Sequence, residues 1–239
     1  MKVASMQLEG ANALRAYWAN ELQSRGRVDV NDTDSAPVLA GVDEAGRGPL
    51  AGPVVAAAVV VPADAQHLLA GCVRDSKAMT HDARTAAAAL IHAHCTVGVG
   101  IVEAEDIDRL NILQATLAAM LQSITACGPL DGAVIDGNRC PVGPSAAHAR
   151  FVSCVKGDGK FIAIAAASIV AKVARDEIMT RHATVWPDYG FDAHKGYGTR
   201  AHLQALQRVG PCALHRRSFK PVRESIAQRA PGSADQRDA

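Results

Sequence analysis

The stretch Gly41-Val42-Asp43-Glu44-Ala45-Gly46-Arg47-Gly48-Pro49-Leu50-Ala51-Gly52-Pro53 constrains this chain more than any other. Two adjacent acids, Asp43 and Glu44, close a short apolar run from Val38 to Val42. A Gly46-Arg47-Gly48 turn follows, and then a second apolar run, Val54 to Val61, ended by Pro62. Short Val-rich runs with few charges read as strands buried on both faces. The loop between them is too long for a two-residue hairpin but suits antiparallel neighbours. Adjacent acids at a strand end, beside a turn of nearly bare backbone, suit a metal next to a phosphate. The turn is not a nucleotide loop. Arg47-Gly48 stands where a P-loop needs Lys-Ser/Thr, and Gly52 comes one place late for the dinucleotide pattern. The flanking glycines still allow close approach, so backbone donors could meet a sugar hydroxyl and Arg47 a phosphate. A purely structural turn is the alternative.

Further acids follow the same rule. Ala133-Val134-Ile135 reads as a strand ending at Asp136, and Phe151 to Val155 as another followed by Asp158. If these ends lie side by side, four carboxylates converge, and their mutual repulsion raises their pKa values. Hard divalent cations relieve that repulsion, because Mg²⁺ and Mn²⁺ prefer oxygen ligands. A cap or turn role is the alternative for any one of these acids taken alone.

The remaining pattern completes an α/β chain. Leu8, Leu14, Trp18 and Leu22 recur at helical spacing, which predicts an amphipathic helix, either packed on the domain or docking a partner. The polar stretch Ser24 to Pro37 reads as a linker. Thr80 is placed to cap an Ala-rich helix over about 82–94, and Thr96 to Val102 reads as a third strand. Ile107, Leu110, Leu113, Leu117, Met120, Leu121 and Ile124 predict one long helix over 105–125. A further helix runs from Phe161 until Trp186-Pro187 stops it, and helical pieces follow near 199–208 and 222–228. Lys172 and Asp176 are spaced for an i, i+4 ion pair. The expected organisation is an N-terminal extension over 1–36 (helix plus linker), a domain over 37–228 and a flexible tail over 229–239.

Composition narrows the function. The 239 residues are 49% hydrophobic, enough for one substantial core, and the formal net charge of +1 gives no global polyanion-binding signature. The cations are instead concentrated: between His194 and Arg229 lie Lys195, Arg200, Arg208, Arg216, Arg217, Lys220, Arg223 and Arg229 against the single acid Glu224. That segment is expected to present a phosphate-binding face, with a solvated helix surface as the alternative. Within it Tyr197 sits between Gly196 and Gly198, where an exposed ring could stack on a sugar or base and a buried one would be plain core. The six cysteines contain no C-x-x-C pair, which argues against a zinc site or disulfide scaffold. There is no G-x-S-x-G or H-E-x-x-H motif. The start lacks a signal-peptide core and no run is long enough for a membrane span, so a cytoplasmic protein is expected.

These residues fall into a set of segments that resembles the ribonuclease HII (type 2 ribonuclease H) family. The matching segments are Gly41 to Pro53, Asp75-Ser76-Lys77, Leu110 to Thr116, Ile135 to Pro141, Val155 to Asp158, Ala166 to Asp176, His194 to Thr199 and His215 to Phe219. They run in family order from about 38 to 223. The resemblance implies a ribonuclease H-like fold, a five-stranded mixed sheet flanked by helices with a C-terminal helical part. It implies a monomeric endonuclease, acting at no membrane, that cleaves the RNA strand of RNA–DNA hybrids. It also implies nicking at single ribonucleotides in duplex DNA, with Mn²⁺ or Mg²⁺, leaving 5′-phosphate and 3′-hydroxyl ends. The catalytic, metal-binding acids would be Asp43, Glu44, Asp136 and Asp158. The Gly46-Arg47-Gly48 backbone would read the ribose 2′-hydroxyl, Tyr197 would pack on the adjacent sugar, and Ser76 and Lys77 would contact phosphates. A second lysine often follows Asp-Ser-Lys in the family; here Ala78 stands instead. Rival readings are a transposase- or resolvase-like DNA nuclease of the same fold and a non-catalytic nucleic-acid binder.

Overall fold

The computed structural model describes residues 8–26, 36–73, 76, 78–142 and 150–229. They fall into two compact units. The first comprises the described residues within Met1–Ala45, Val55–Ile101 and Thr116–Val173. It is built on a five-stranded sheet in the order β3-β2-β1-β4-β5. The strands are β1 (Leu39–Ala45), β2 (Val54–Val60), β3 (Thr96–Val102), β4 (Gly132–Asp136) and β5 (Arg150–Cys154). β1 pairs antiparallel with β2 and parallel with β4, and β4 pairs parallel with β5, so the sheet is mixed.

Strand β1 runs further than the apolar pattern suggests. It includes Asp43, Glu44 and Ala45, each paired with β2, so the two acids lie within the strand rather than beyond its end. The backbone of α6 (Ile162–Val185) presses directly on β1. A Cβ built on Gly41 would lie 2.4 Å from the Ala163 carbonyl carbon and 2.5 Å from the Ile164 nitrogen. Only glycine permits that approach. The first half of α6, Ile162 to Ala171, is buried throughout, which its Ala-rich composition allows.

The apolar stripe near the N-terminus is used within this unit. Helix α1 (Ala11–Ser24) buries Leu14, Trp18 and Leu22 and packs on β4 and β5. The Trp18 indole N–H donates to the Arg150 carbonyl at 2.7 Å, and the Tyr17 hydroxyl to the Ser153 carbonyl at 2.9 Å. Glu9 bridges to Phe161 just before α6. With its apolar face covered, α1 has no stripe to offer a partner. Residues 27–35, most of the expected linker, lie outside the described residues, as does the tail beyond Arg229. Helix α2 (Gln66–Ala70) follows β2, and α3 (His81–His94) starts at Thr80, whose side chain accepts from the Ala83 N–H as its spacing predicts.

The second unit comprises the described residues within Gly46–Val54, Val102–Ala115 and Ala174–Ala239. The single helix expected over 105–125 is two helices, α4 (Ala104–Leu110) and α5 (Ile112–Ala126). Asn111 breaks them. It adopts φ 69°, and its side-chain oxygen accepts from the Leu113 and Gln114 N–H groups, capping α5. Helices α7 (Phe191–His194), α8 (Arg200–Val209) and α9 (Lys220–Arg229) follow α6. They enclose Met179, Tyr189, Phe191 and Cys212 in one apolar cluster and Leu50, Leu206 and Val222 in another. The Asp108 carboxylate pins the turn before α9, accepting from the Arg217 and Ser218 N–H groups and the Ser218 hydroxyl. No helix among the described residues is long and apolar enough to cross a membrane.

Replacing Trp18 with Ala removes the largest fully buried side chain in the first unit together with its hydrogen bond. The expected loss is about 3–5 kcal/mol. Urea unfolding of Trp18→Ala measures it, and a loss below about 1 kcal/mol would show that α1 is peripheral.

Candidate active site

In the first unit the parallel register of β1 and β4 runs from Leu39–Gly132 to Val42–Ile135, and the next residue on each strand is an acid, Asp43 and Asp136. Asp136 in turn pairs with Cys154 on β5. The chain then turns through Lys156, which adopts φ 57°, into a single 3-10 turn, Gly157–Gly159, that carries Asp158. The Gly157 N–H donates to Asp136 Oδ1 at 2.6 Å, and the Gly159 N–H to Asp158 Oδ1 at 2.9 Å.

The electrostatics link these acids. Asp43 is buried, which drives its carboxyl well above the ordinary carboxylate range, and the neighbouring Glu44 and Asp136 push it further. The Glu44 N–H and the Ser168 hydroxyl oppose the rise. Asp136 is also raised, first by burial and then by Asp158, against the Gly157 N–H. Asp43 therefore feels Glu44 and Asp136, and Asp136 feels Asp158. All four acids belong to one electrostatic group.

As the side chains stand, no three His, Cys, Asp or Glu among the described residues close on one point as ligands of an ion. The donor set still suits a hard divalent cation. It is all oxygen, it is gathered at one end of parallel strands, and burial followed by mutual repulsion raises Asp43 and Asp136, a strain that such a cation would relieve.

Ser168 on α6 has no role in the sequence reading. Its hydroxyl lies 2.9 Å from that of Ser76, and both are buried. Arg84, from α3, holds Ser76 in place by donating to its carbonyl at 3.0 Å. A chain of contacts thus runs from Arg84 through Ser76 and Ser168 to Asp43. The one local signal for Ser168 is a lone hydroxyl in an Ala-rich buried run. Lys77 lies outside the described residues.

In the second unit the Gly46-Arg47-Gly48 turn is built by buried arginines. Gly46 has φ +92°, and a Cβ there would lie 2.0 Å from Arg175 Nε and 2.8 Å from the Pro53 carbonyl oxygen. Arg175 donates to the carbonyls of Ala51, Pro53 and Lys195 at 2.9–3.1 Å. Arg216 is wholly buried, so the expected basic face loses that member. Other members have partners within the unit: Arg208 with Asp188, Lys220 with Glu224 and Lys195 with Thr180. Arg200, Arg217 and Arg223 are exposed.

Tyr197 is 42% exposed, so its ring is not a plain core ring. Its edge lies 3.9 Å from where a Gly48 Cβ would sit, and Arg175 lies 5.8 Å from its ring centre. The Tyr197 carbonyl is held by His202 Nδ1 at 2.9 Å, and His202 Nε2 faces His215 Nε2 at 3.0 Å. The Cys212 N–H donates to His215 Nδ1, so the neutral His215 ring carries its proton on Nε2 and donates it to His202. Burial, and then His202 alongside, pulls the His215 imidazole down to about 4, in keeping with a neutral pair.

Residues 40–222 match the family model described as ribonuclease HII. A ribonuclease HII of Nitrosococcus oceani is 52% identical over 190 residues, covering 79% of this chain and 91% of that one. One of Maricaulis maris is 48% identical over 193 residues, covering 80% and 85%. Among solved structures, the ribonuclease HII of Archaeoglobus fulgidus in complex with PCNA superposes with a TM-score of 0.62 at 27% identity, covering 77% of this chain and 95% of that one. The ribonuclease H2 of Pyrococcus horikoshii, 22% identical with a TM-score of 0.63 over 80% and 97%, shares the fold.

The raised acids set a pH test on the metal-free protein. Asp136 has a folded-state pKa above its ordinary 3.8. Its contribution to stability is therefore full below 3.8 and is lost as pH rises through the folded value. Asp136→Asn removes the charge but keeps an acceptor for the Gly157 N–H. The variant is expected to be more stable than the wild type at about pH 7, with the difference closing at about pH 3.5. Paired urea midpoints check this, and a less stable variant at neutral pH would refute the crowding of the acids.

Proposed function

This chain belongs to the ribonuclease HII family, and from that footing we infer how its residues divide the work of a ribonuclease H. It is a hydrolase, an endonuclease that cuts the RNA strand of RNA–DNA hybrids. Our reading adds nicking at single ribonucleotides in duplex DNA, with 5′-phosphate and 3′-hydroxyl ends, carried out by the body of the chain over 37–228. The observation that carries it is the parallel β1–β4 register, which ends in the crowded pair Asp43 and Asp136.

In this reading Asp43, Glu44 and Asp136 hold divalent metal, Mn²⁺ or Mg²⁺, with Asp158 as the fourth acid. Bound in a pair, such ions supply an activated water and neutralise a departing 3′-oxygen. Asp43 is aimed by the Glu44 N–H and Ser168, and Asp136 by the Gly157 N–H, so their oxygens are fixed before substrate arrives. The backbone N–H groups of the Gly46-Arg47-Gly48 turn donate to the 2′-hydroxyl, the group that separates RNA from DNA. The exposed Tyr197 ring packs on the sugar beside it. Ser76, whose hydroxyl also meets that of Ser168, and Lys77 contact the substrate phosphates.

A duplex carrying one ribonucleotide, incubated with Mn²⁺ or Mg²⁺, is the test. The wild type is expected to nick it, and Asp136→Asn to do so about 10³-fold more slowly, a loss of ~4 kcal/mol. Equal rates would sink the assignment of the acids. An all-DNA duplex in parallel separates this reading from a general DNA nuclease, which would cut both.

Metal binding has its own readout. At a Mn²⁺ concentration of about a hundred times Kd, the folded state gains about 2.7 kcal/mol. Thermal melts should show that gain in the wild type and lose most of it in Asp136→Asn. The same gain in both would place the ion elsewhere.

A further inference from the structure

The turn assigned to ribose reading owes its shape to a residue that stands apart from it in sequence. Arg216 donates from one terminal nitrogen to the Gly46 carbonyl at 2.6 Å and from the other to the Arg47 carbonyl at 3.0 Å. It also reaches the carbonyls of Gly52 at 3.0 Å and Pro53 at 3.1 Å. A trans peptide is planar, with its C=O and N–H on opposite sides. Holding the Gly46 carbonyl on the guanidinium therefore turns the Arg47 N–H away from it. Holding the Arg47 carbonyl does the same to the Gly48 N–H. The rule is visible elsewhere in the loop. Arg175 holds the Ala51 carbonyl at 3.1 Å, and the next N–H, that of Gly52, points the other way to the Leu214 carbonyl at 2.8 Å.

We propose that Arg216 is the positioning residue for ribose recognition: it touches no substrate, and its fork aims the Arg47 and Gly48 N–H groups at the 2′-hydroxyl. This rests on the reading of Gly46-Arg47-Gly48 as the turn that meets the ribose. Only a planar guanidinium has donors enough, at fixed angles, for four carbonyls at once; an ammonium on a flexible stem does not. The cation also sits at the carbonyl end of both peptides, which polarises them and strengthens the outward N–H donors. Burial, followed by Arg175, lowers the Arg216 pKa to about 9, so the fork remains charged at neutral pH.

The experiment compares two duplexes that differ in one group: a single ribonucleotide, or the same nucleotide with 2′-fluorine, a poor acceptor of similar sugar pucker. kcat/KM is measured on both for the wild type, Arg216→Lys and Arg216→Met. The wild type should favour the hydroxyl. Arg216→Lys should narrow that preference by roughly tenfold or more, the scale of one misaimed hydrogen bond, and Arg216→Met should narrow it further. Stabilisation by Mn²⁺ should stay at the wild-type level in both. A purely structural arginine would lower kcat/KM equally on the two duplexes, and that result would overturn the proposal. If Arg216→Met does not fold, Arg216→Lys decides alone. A wild type with no preference would instead defeat the ribose-reading assignment. Amide exchange at Arg47 and Gly48 then judges the positioning: faster exchange in Arg216→Lys upholds it, and unchanged exchange overturns it.

Discussion

Carboxylates crowded together repel, and burial enlarges the repulsion. The first unit is arranged around accepting that cost at one place. Two parallel strands end in step, so Asp43 and Asp136 are neighbours by register rather than by chance contact. Gly41 lets α6 lie directly on β1, and that approach fixes the position of Ser168 relative to Asp43. The Glu44 N–H donates to one oxygen of Asp43 and the Gly157 N–H to one oxygen of Asp136. These donors, with the Ser168 hydroxyl, favour the charged form without cancelling the charge, which leaves the acids able to attract a cation.

The second unit solves the opposite problem with the same material. Arg175 and Arg216 are buried cations, and their hydrogens go to main-chain carbonyls of the loop before β2. Buried charge is tolerable when hydrogen bonds satisfy it. Here the satisfaction also defines the loop, because six contacts to its carbonyls from two side chains leave its peptides little freedom to rotate. Gly46 is glycine because the Arg175 side chain occupies the space a Cβ would need.

Much of the fold was legible in the chain because its signals are local. The Val-rich runs of β1 and β2, the Val/Gly alternation of β3 and the Thr80 cap each depend on a few neighbouring residues. The acids stood out because each follows an apolar run. Three features were not legible. The apolar stripe across Asn111 has helical spacing on both sides, and only the positive φ and side-chain cap reveal two helices. Arg216 sits in a basic segment, where the ordinary expectation is a solvated side chain, and its carbonyl partners lie about 160–170 residues earlier in sequence. Ser168 resembles its alanine neighbours in size, and its importance comes from what α6 packs against.

The histidine pair has a consequence for how the molecule meets acid. Its hydrogen bonds run one way, from the Cys212 N–H through His215 and His202 to the Tyr197 carbonyl; a second proton would face a donor on the partner ring at His202 and, at His215, only the weak acceptor Cys212 Sγ at 3.2 Å. Both imidazoles are pulled below their usual value, so their contribution is full above it and is lost as pH falls. Asp43 and Asp136 of the first unit, whose values are raised, behave in the reverse sense. A single chain thus contains two titrations that oppose each other. Wherever their pH windows overlap, each offsets part of the other's effect, so the stability of the molecule varies less there than either titration alone would make it.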